Sequence, residues 1–190
     1  MTEITLDEFC SHWIRGSWTS YLASRLEKNA FDFATAAGEY AKGQFRSSFQ
    51  SGGFPGGTAW KPRTSRWGKR FTHPVMLDYG RLAGGIKGEA DRVDIVGRRD
   101  DRSRIFRKGA KYSIWTTEQS RPVKGKRGRS RERSGHYAAV HNTDPKFGLY
   151  TVNQYSKRRP VHRPFIGFSP RIDEYIRTHF VPMIFEGFPT

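Results

Sequence analysis

GHYAAVHNTDPKFGLYTVNQYSKRRPVHRPFIGFSP, residues 135–170, holds four building events in one window, and its reading decides the fold. Tyr137 to His141 reads as a strand, Asp144-Pro145 as a turn and Leu149 to Tyr155 as a second strand. A basic, proline-bounded turn leads to a short apolar element, Pro164 to Phe168. Ser169 is then a good N-cap and Pro170 sits at the favoured first helical position, with Asp173 and Glu174 complementing the helix dipole. Ile172, Tyr175, Ile176 and Phe180 follow at three- and four-residue steps, and Pro182 ends the helix. The tail keeps Met183, Ile184, Phe185 and Phe188 beyond the last element, an apolar strap suited to docking on another subunit.

Upstream of this window, residues 121–133 (RPVKGKRGRSRER) hold Arg121, Lys124, Lys126, Arg127, Arg129, Arg131 and Arg133 against one acid, Glu132. With no apolar periodicity the segment reads as a loop tip, a contact for nucleic acid or for an acidic partner, or simply a solvated loop. Tyr112 to Thr117, Ile105-Phe106 and the alternating Arg92 to Gly97 are strand candidates, and MLDYGRLAGGI before them is a short helical or turn unit.

Further back, Leu26, Ala30, Phe33, Ala37, Ala41, Phe45 and Phe49 recur at helical steps, so 21–49 is expected to be one long helix across the sheet. Gly38 and Gly43 mark a bend or a close backbone approach. Gly52 to Gly57 break the helix. Trp60 and Trp67 then sit among Lys61, Arg63, Arg66, Lys69 and Arg70, a pattern that suits stacking on bases and equally suits pinning a long loop to the body. Thr5 to Glu8 has capping-box spacing, and Trp13 and Trp18 make residues 1–20 an extension that docks on the body or on a neighbour.

In a chain of 190 residues, aromatics at 14% supply the core that a hydrophobic fraction of 35% would otherwise leave thin. The formal charge of +16 favours nucleic acid, an anionic membrane surface or an acidic protein as partner. The single cysteine, Cys10, excludes an internal disulfide framework and a multi-cysteine zinc site. No apolar run approaches the ~18 residues of a membrane span, and the first residues lack a signal-peptide pattern, so a cytoplasm-like folding compartment is expected.

Catalytic chemistry finds little footing. His136 and His141, five apart, would lie on opposite faces of a strand and suit no shared metal. Tyr137, His141, Asn142 and Asp144 form an imaginable acid–base cluster, but no second carboxylate or histidine motif supports it. Gly52 to Gly57 lacks the Lys-Ser/Thr ending of a phosphate loop, and no repeat is present. No enzyme activity, cofactor or metal is expected.

Five short signals in order, between Leu26 and Phe180, carry a family resemblance. They are Trp60-Lys61-Pro62, Met76-Leu77-Asp78-Tyr79-Gly80-Arg81-Leu82, the strand Val93 to Gly97, Tyr137-Ala138-Ala139-Val140-His141, and Arg163-Pro164-Phe165-Ile166-Gly167 before a final helix. The chain thereby resembles the virion-morphogenesis and tail-completion proteins of Mu-like and related tailed phages. It departs from them at Tyr79, at Asn142-Thr143-Asp144, in the first ~20 residues and in a basic insertion at 98–134.

The fold expected is α+β, a long N-terminal and a shorter C-terminal helix packed on one face of an antiparallel sheet of about four or five strands, with a long basic loop. The domain would span 21–181, followed by a tail at 182–190. The resemblance implies an assembly protein of the virion neck or tail, built in the host cytoplasm. It would act as a homo-oligomeric ring against portal, connector, neck or tail proteins, with genomic DNA a possible contact and no membrane. Trp13, Trp18, Ile184, Phe185 and Phe188 are the residues expected to reach neighbours. The alternative is a free nucleic-acid-binding protein using the 121–133 loop with Trp60 and Trp67.

Overall fold

The computed structural model describes residues 17–64, 68–70, 72–77, 80–99, 102–117, 121–124, 130–133, 137–149 and 160–188. In chain order these form α1 (Ser17–Ser51), α2 (Arg81–Gly84), β1 (Ile86–Arg99), β2 (Arg102–Thr116), β3 (Arg121–Lys124), β4 (Ser130–Arg133), α3 (Tyr137–Asn142) and α4 (Pro170–His179). Short 3-10 turns occupy Gly68–Arg70, Pro145–Phe147 and Val181–Phe185. The architecture is mixed α+β, with the long N-terminal helix, the C-terminal helix and antiparallel strands anticipated from the sequence.

Several elements differ from expectation. Tyr137 to His141 is helix, not strand, and among the described residues the strands form two separate two-stranded pairs, β1–β2 and β3–β4, in place of one sheet of four or five strands. The candidates at 105–106 and 112–117 belong to one strand, β2. The two ends of the basic segment are strand rather than loop: Arg121–Lys124 and Ser130–Arg133 pair antiparallel, Arg121 opposite Arg133 and Lys124 opposite Ser130, while 125–129 lie outside the described residues. The capping box at Thr5–Glu8 lies outside the described residues, as does the second strand of the 135–170 window beyond Leu149.

Strands β1 and β2 are separated by two residues, too few for a parallel crossover. Thr117 N donates to Gly85 O at 2.8 Å, and Lys111 Nζ lies 3.6 Å from Asp91 Oδ2. Both pairs are centred on the same turn, as an antiparallel ladder requires.

Two compact units make up the chain: Met1–Gly38 with Glu89–Ser113 and Tyr175–Thr190, and Glu39–Gly88 with Ile114–Glu174. In the first, α1 is held by polar contacts to the C-terminal segment. Asn29, buried, donates through Nδ2 to Ile184 O at 3.1 Å and Glu186 O at 2.9 Å, and Arg25 Nε donates to Glu186 O at 3.0 Å. The tail at 182–188 therefore folds on its own chain rather than hanging free; Phe185 alone of its three docking candidates stays largely exposed, at 64%. The Arg92 guanidinium lies 5.3 Å from the Phe31 ring centroid. Tyr112 lies so close over Gly38 that a methyl group there would overlap its ring.

The second unit buries Ala41, Phe45 and Phe49 of α1 with Trp60, Met76, Ile86, Ala138, Phe165 and Ile172. Along α1 each four-residue step turns ~40° past a full turn, so the buried stripe winds round the helix. Leu22 is accordingly buried while Leu26, expected in the stripe, is 39% exposed. Arg46 fastens the helix to the start of β1, donating from Nε and Nη2 to Ile86 O at 3.2 and 2.6 Å.

The two helical glycines should respond oppositely to the same change. Gly43 has nothing within 4 Å of where a Cβ would sit, so Gly43→Ala should stabilise by about 0.5–1 kcal/mol through helix propensity. Gly38→Ala should destabilise by about 1–3 kcal/mol, because displacing the Tyr112 ring outweighs the propensity gain. Urea unfolding of both variants checks the signs.

Candidate functional site

Residues of three of the motifs that carry the resemblance, around Trp60, His141 and Arg163, meet in the second unit. Phe49, fully buried, contacts the Trp60 ring edge-on at 5.3 Å and the Phe165 ring at 5.3 Å between centroids. Trp60 reaches this position because the glycine break folds back. Gly52 adopts φ 72°, Gly53 bridges Ala59, and Trp60 N donates to Gly52 O at 2.7 Å. Its indole Nε1 then donates to Pro164 O at 2.8 Å.

Hydrogen bonds from side chains close the same region. Arg163, buried, donates from Nε and Nη2 to Lys61 O at 3.1 and 2.9 Å, while its backbone N donates to His141 O at 2.9 Å. Asn142 Oδ1 accepts from the backbone N–H groups of Phe165 and Ile166, at 2.9 and 3.1 Å. Ser169 Oγ donates to Pro55 O at 2.6 Å and accepts from Ile172 N at 3.4 Å, the N-cap contact expected for α4. Gly80 takes φ 66° immediately before α2, a left-handed geometry that glycine adopts without a Cβ penalty. The sequence reading names Asn142 only within an imaginable acid–base cluster; its structural role as an acceptor for two backbone N–H groups is hidden when 137–141 is read as a strand.

Burial and, second, the Arg163 guanidinium push the His141 imidazole below its ordinary value of 6.5, while a backbone hydrogen bond at Val161 pulls the other way. The neutral imidazole is thus the form that the fold accepts.

Of the residues proposed to touch nucleic acid or acidic partners, Arg121, Lys124, Arg131 and Arg133 lie in β3 and β4, and Lys126, Arg127 and Arg129 lie outside the described residues. Trp60 is 6% exposed with its N–H engaged, so it cannot stack on bases; the loop-pinning reading is the one its surroundings support. Trp67 and Trp13 lie outside the described residues, and Trp18 belongs to the first turn of α1.

Two open clefts occur in the second unit. One of about 540 Å³ is lined by Arg46, Ser47, Phe49, Gln50, Leu77, Ala83 and Gly84; another of about 440 Å³ lies beside Phe54, Pro55 and Arg171. Among the described residues lining them there is no carboxylate and no histidine. Among the described residues no three of His, Cys, Asp and Glu approach closely enough to hold a metal ion. Among the described residues, too, no helix is long and apolar enough to cross a membrane. No family model, curated protein or solved structure matches this chain.

Two measurements probe this cluster. Asn142→Ala leaves two backbone N–H groups without their acceptor and should cost about 1–3 kcal/mol or more in chemical unfolding, with Asn142→Asp, which keeps the oxygen, costing less. For His141 the unfolded chain takes up its proton near pH 6.5 and the folded chain only at lower pH. The stability it contributes is therefore present above that value and lost as pH falls through the folded pKa. Thermal midpoints should drop as pH is lowered from 7 towards 5, and His141→Gln should flatten that slope.

Proposed function

We propose that this chain is a structural assembly protein of a tailed-phage virion, acting in tail completion or head–tail joining as a homo-oligomeric ring. The observation that carries the reading is the convergence of the resembling motifs. Trp60, His141, Arg163, Pro164 and Phe165 come from three distant stretches and meet in one cluster. Each of the polar groups involved is engaged with a backbone carbonyl or N–H, which is what a scaffold needs and what a catalytic group, kept available for substrate, does not offer.

A ring of identical subunits needs heterologous contacts, with different patches of each copy meeting. Phe147, Leu149 and Phe168, exposed at 73, 70 and 77%, and Phe185 are large apolar side chains available for such contacts. In this reading the partners are portal, connector, neck or tail proteins, the location is the virion neck or tail, and there is no turnover. The alternative of a free nucleic-acid-binding protein loses one of its two tryptophans, because Trp60 is core.

Electron microscopy of a lysate made without this protein, with complementation as control, tests the proposal. Filled heads beside detached or malformed tails are expected. Normal, infectious particles would remove the assembly role.

A further inference from the structure

The 440 Å³ cleft of the second unit is lined on its helix side by Gln44, Ser47 and Ser51, at successive steps along the last two turns of α1. Its other side is the turn that follows, with Phe54, Pro55 and Ala59. That turn is held by its own chain. Phe54 O accepts from Gly57 N at 2.9 Å across Pro55-Gly56, with Gly56 at φ 72°, a type II turn. The Phe54 ring stacks on Phe45 with centroids 6.1 Å apart, and Ser169 Oγ donates to Pro55 O at 2.6 Å. Arg171, in the first turn of α4, completes the lining; its stem lies so close over Gly56 that a Cβ there would sit 2.7 Å from the Arg171 Cβ.

The hydrogen-bonding groups of this cleft are of two kinds. The Ser47 and Ser51 hydroxyls donate to Gln44 O at 2.9 Å and Ser48 O at 3.3 Å, so what they offer a ligand is oxygen lone pairs. The Gln44 amide and the exposed Arg171 guanidinium have no hydrogen-bond or ionic partner among the described residues. Arg171 is also the one charged residue among the described residues lining the cleft.

We propose that this cleft binds a short, extended, acidic peptide segment of a partner protein, with a carboxylate on Arg171 and the peptide backbone along α1. A guanidinium whose fork is unengaged takes a carboxylate through two parallel hydrogen bonds. Ser47 and Ser51 are four residues apart, about 6 Å along the helix axis, close to the ~6.6–6.8 Å between alternate residues of an extended chain. Two acceptor oxygens at that spacing match the N–H groups on one edge of such a chain, and the Gln44 amide serves the next peptide group. Phe54 and Pro55 give its side chains apolar surface. The volume falls within the about 300–1,000 Å³ of ligand sites, which keeps the segment short. A phosphate backbone fits less well: it calls for several cations and offers only acceptors, which serine lone pairs cannot meet. The formal charge of +16 draws acidic partners towards the chain. The inference rests on the groups lining the cleft and holds whether or not the chain works in a virion.

The test is a ¹H–¹⁵N NMR titration of the full chain with the blocked pentapeptide Ala-Ala-Glu-Ala-Ala. Saturable shifts are expected at the Gln44 side-chain amide and at the backbone N–H groups of Ser47, Ser51 and Gly57. Replacing the glutamate of the peptide by glutamine, or Arg171→Gln in the protein, should each weaken binding about tenfold or more. Ser47→Ala/Ser51→Ala, which keeps the helix and removes both acceptors, should weaken it as well. Lys146→Gln, which removes an exposed cation outside the cleft, should leave the affinity unchanged. The proposal is overturned if no saturable shift appears at these groups up to about 10 mM peptide, or if Arg171→Gln binds as the parent chain does. Unchanged affinity in the serine double variant overturns the peptide reading. So do the same shifts produced by inorganic phosphate or by a short oligothymidylate at equal concentration, which would make this a phosphate site.

Discussion

The contact on which the second unit depends is the Phe49 ring held between Trp60 and Phe165, with the Trp60 indole fastened to Pro164 O. Phe49 is the only one of the three on a long element; the other two lie in irregular chain. Irregular segments leave backbone N–H and C=O groups without ladder or helix partners, and burying them unpaired is costly. The polar groups around the rings answer that need one by one: Lys61 O by Arg163, Pro164 O by Trp60, the Phe165 and Ile166 N–H groups by Asn142, Pro55 O by Ser169. Ring packing sets the position and these bonds make it affordable to bury loops there.

Arginine does much of this work. Arg25, Arg46, Arg63 and Arg163 each donate to backbone carbonyls, of Glu186, Ile86, His73 and Lys61 respectively. With 18 acidic residues against 34 basic ones, carboxylates cannot partner every guanidinium. A carbonyl oxygen at a loop or strand end is the next acceptor, and one guanidinium can satisfy it from two nitrogens, as Arg163 does at Lys61. The exposed Lys111–Asp91 pair, by contrast, contributes little.

How far the sequence could be read follows from how local each signal is. The second half of α1 and the start of α4 were legible because Ala37, Ala41, Phe45 and Phe49 keep a strict helical step and Ser169-Pro170 is a strong helix start. Tyr137 to His141 was misread because five residues cannot separate a strand from a helix by periodicity, and the helix-forming Ala138-Ala139 pair outweighed Tyr137 and Val140. The β3–β4 pair was hidden because neither Arg121-Pro122-Val123-Lys124 nor Ser130-Arg131-Glu132-Arg133 alternates apolar with polar. At Gly38 the close approach was legible in kind, but the partner proved to be the Tyr112 ring rather than a backbone, and nothing local to Gly38 could name a residue so far along the chain. Trp60 among cations suited either stacking on bases or pinning a loop, and only the fold shows that Arg63 and Arg163 serve carbonyls there.

The two uses of arginine also bear on how subunits of this kind would assemble. A guanidinium such as that of Arg163, 8% exposed and fixed on a carbonyl, keeps its role at any ionic strength, whereas an exposed one such as that of Arg171 acts through a field that falls off within a Debye length of about 8–10 Å. In the proposed ring, copies carrying a formal +16 each would repel one another, and exposed apolar residues such as Phe147 and Leu149 would have to work against that repulsion. A bound polyanion would lower the repulsion and so favour closure, and by linkage closure would favour the polyanion. In the proposed assembly, then, the charge that makes a free subunit stay apart from its copies is the same charge that would gather them once a polyanion is present.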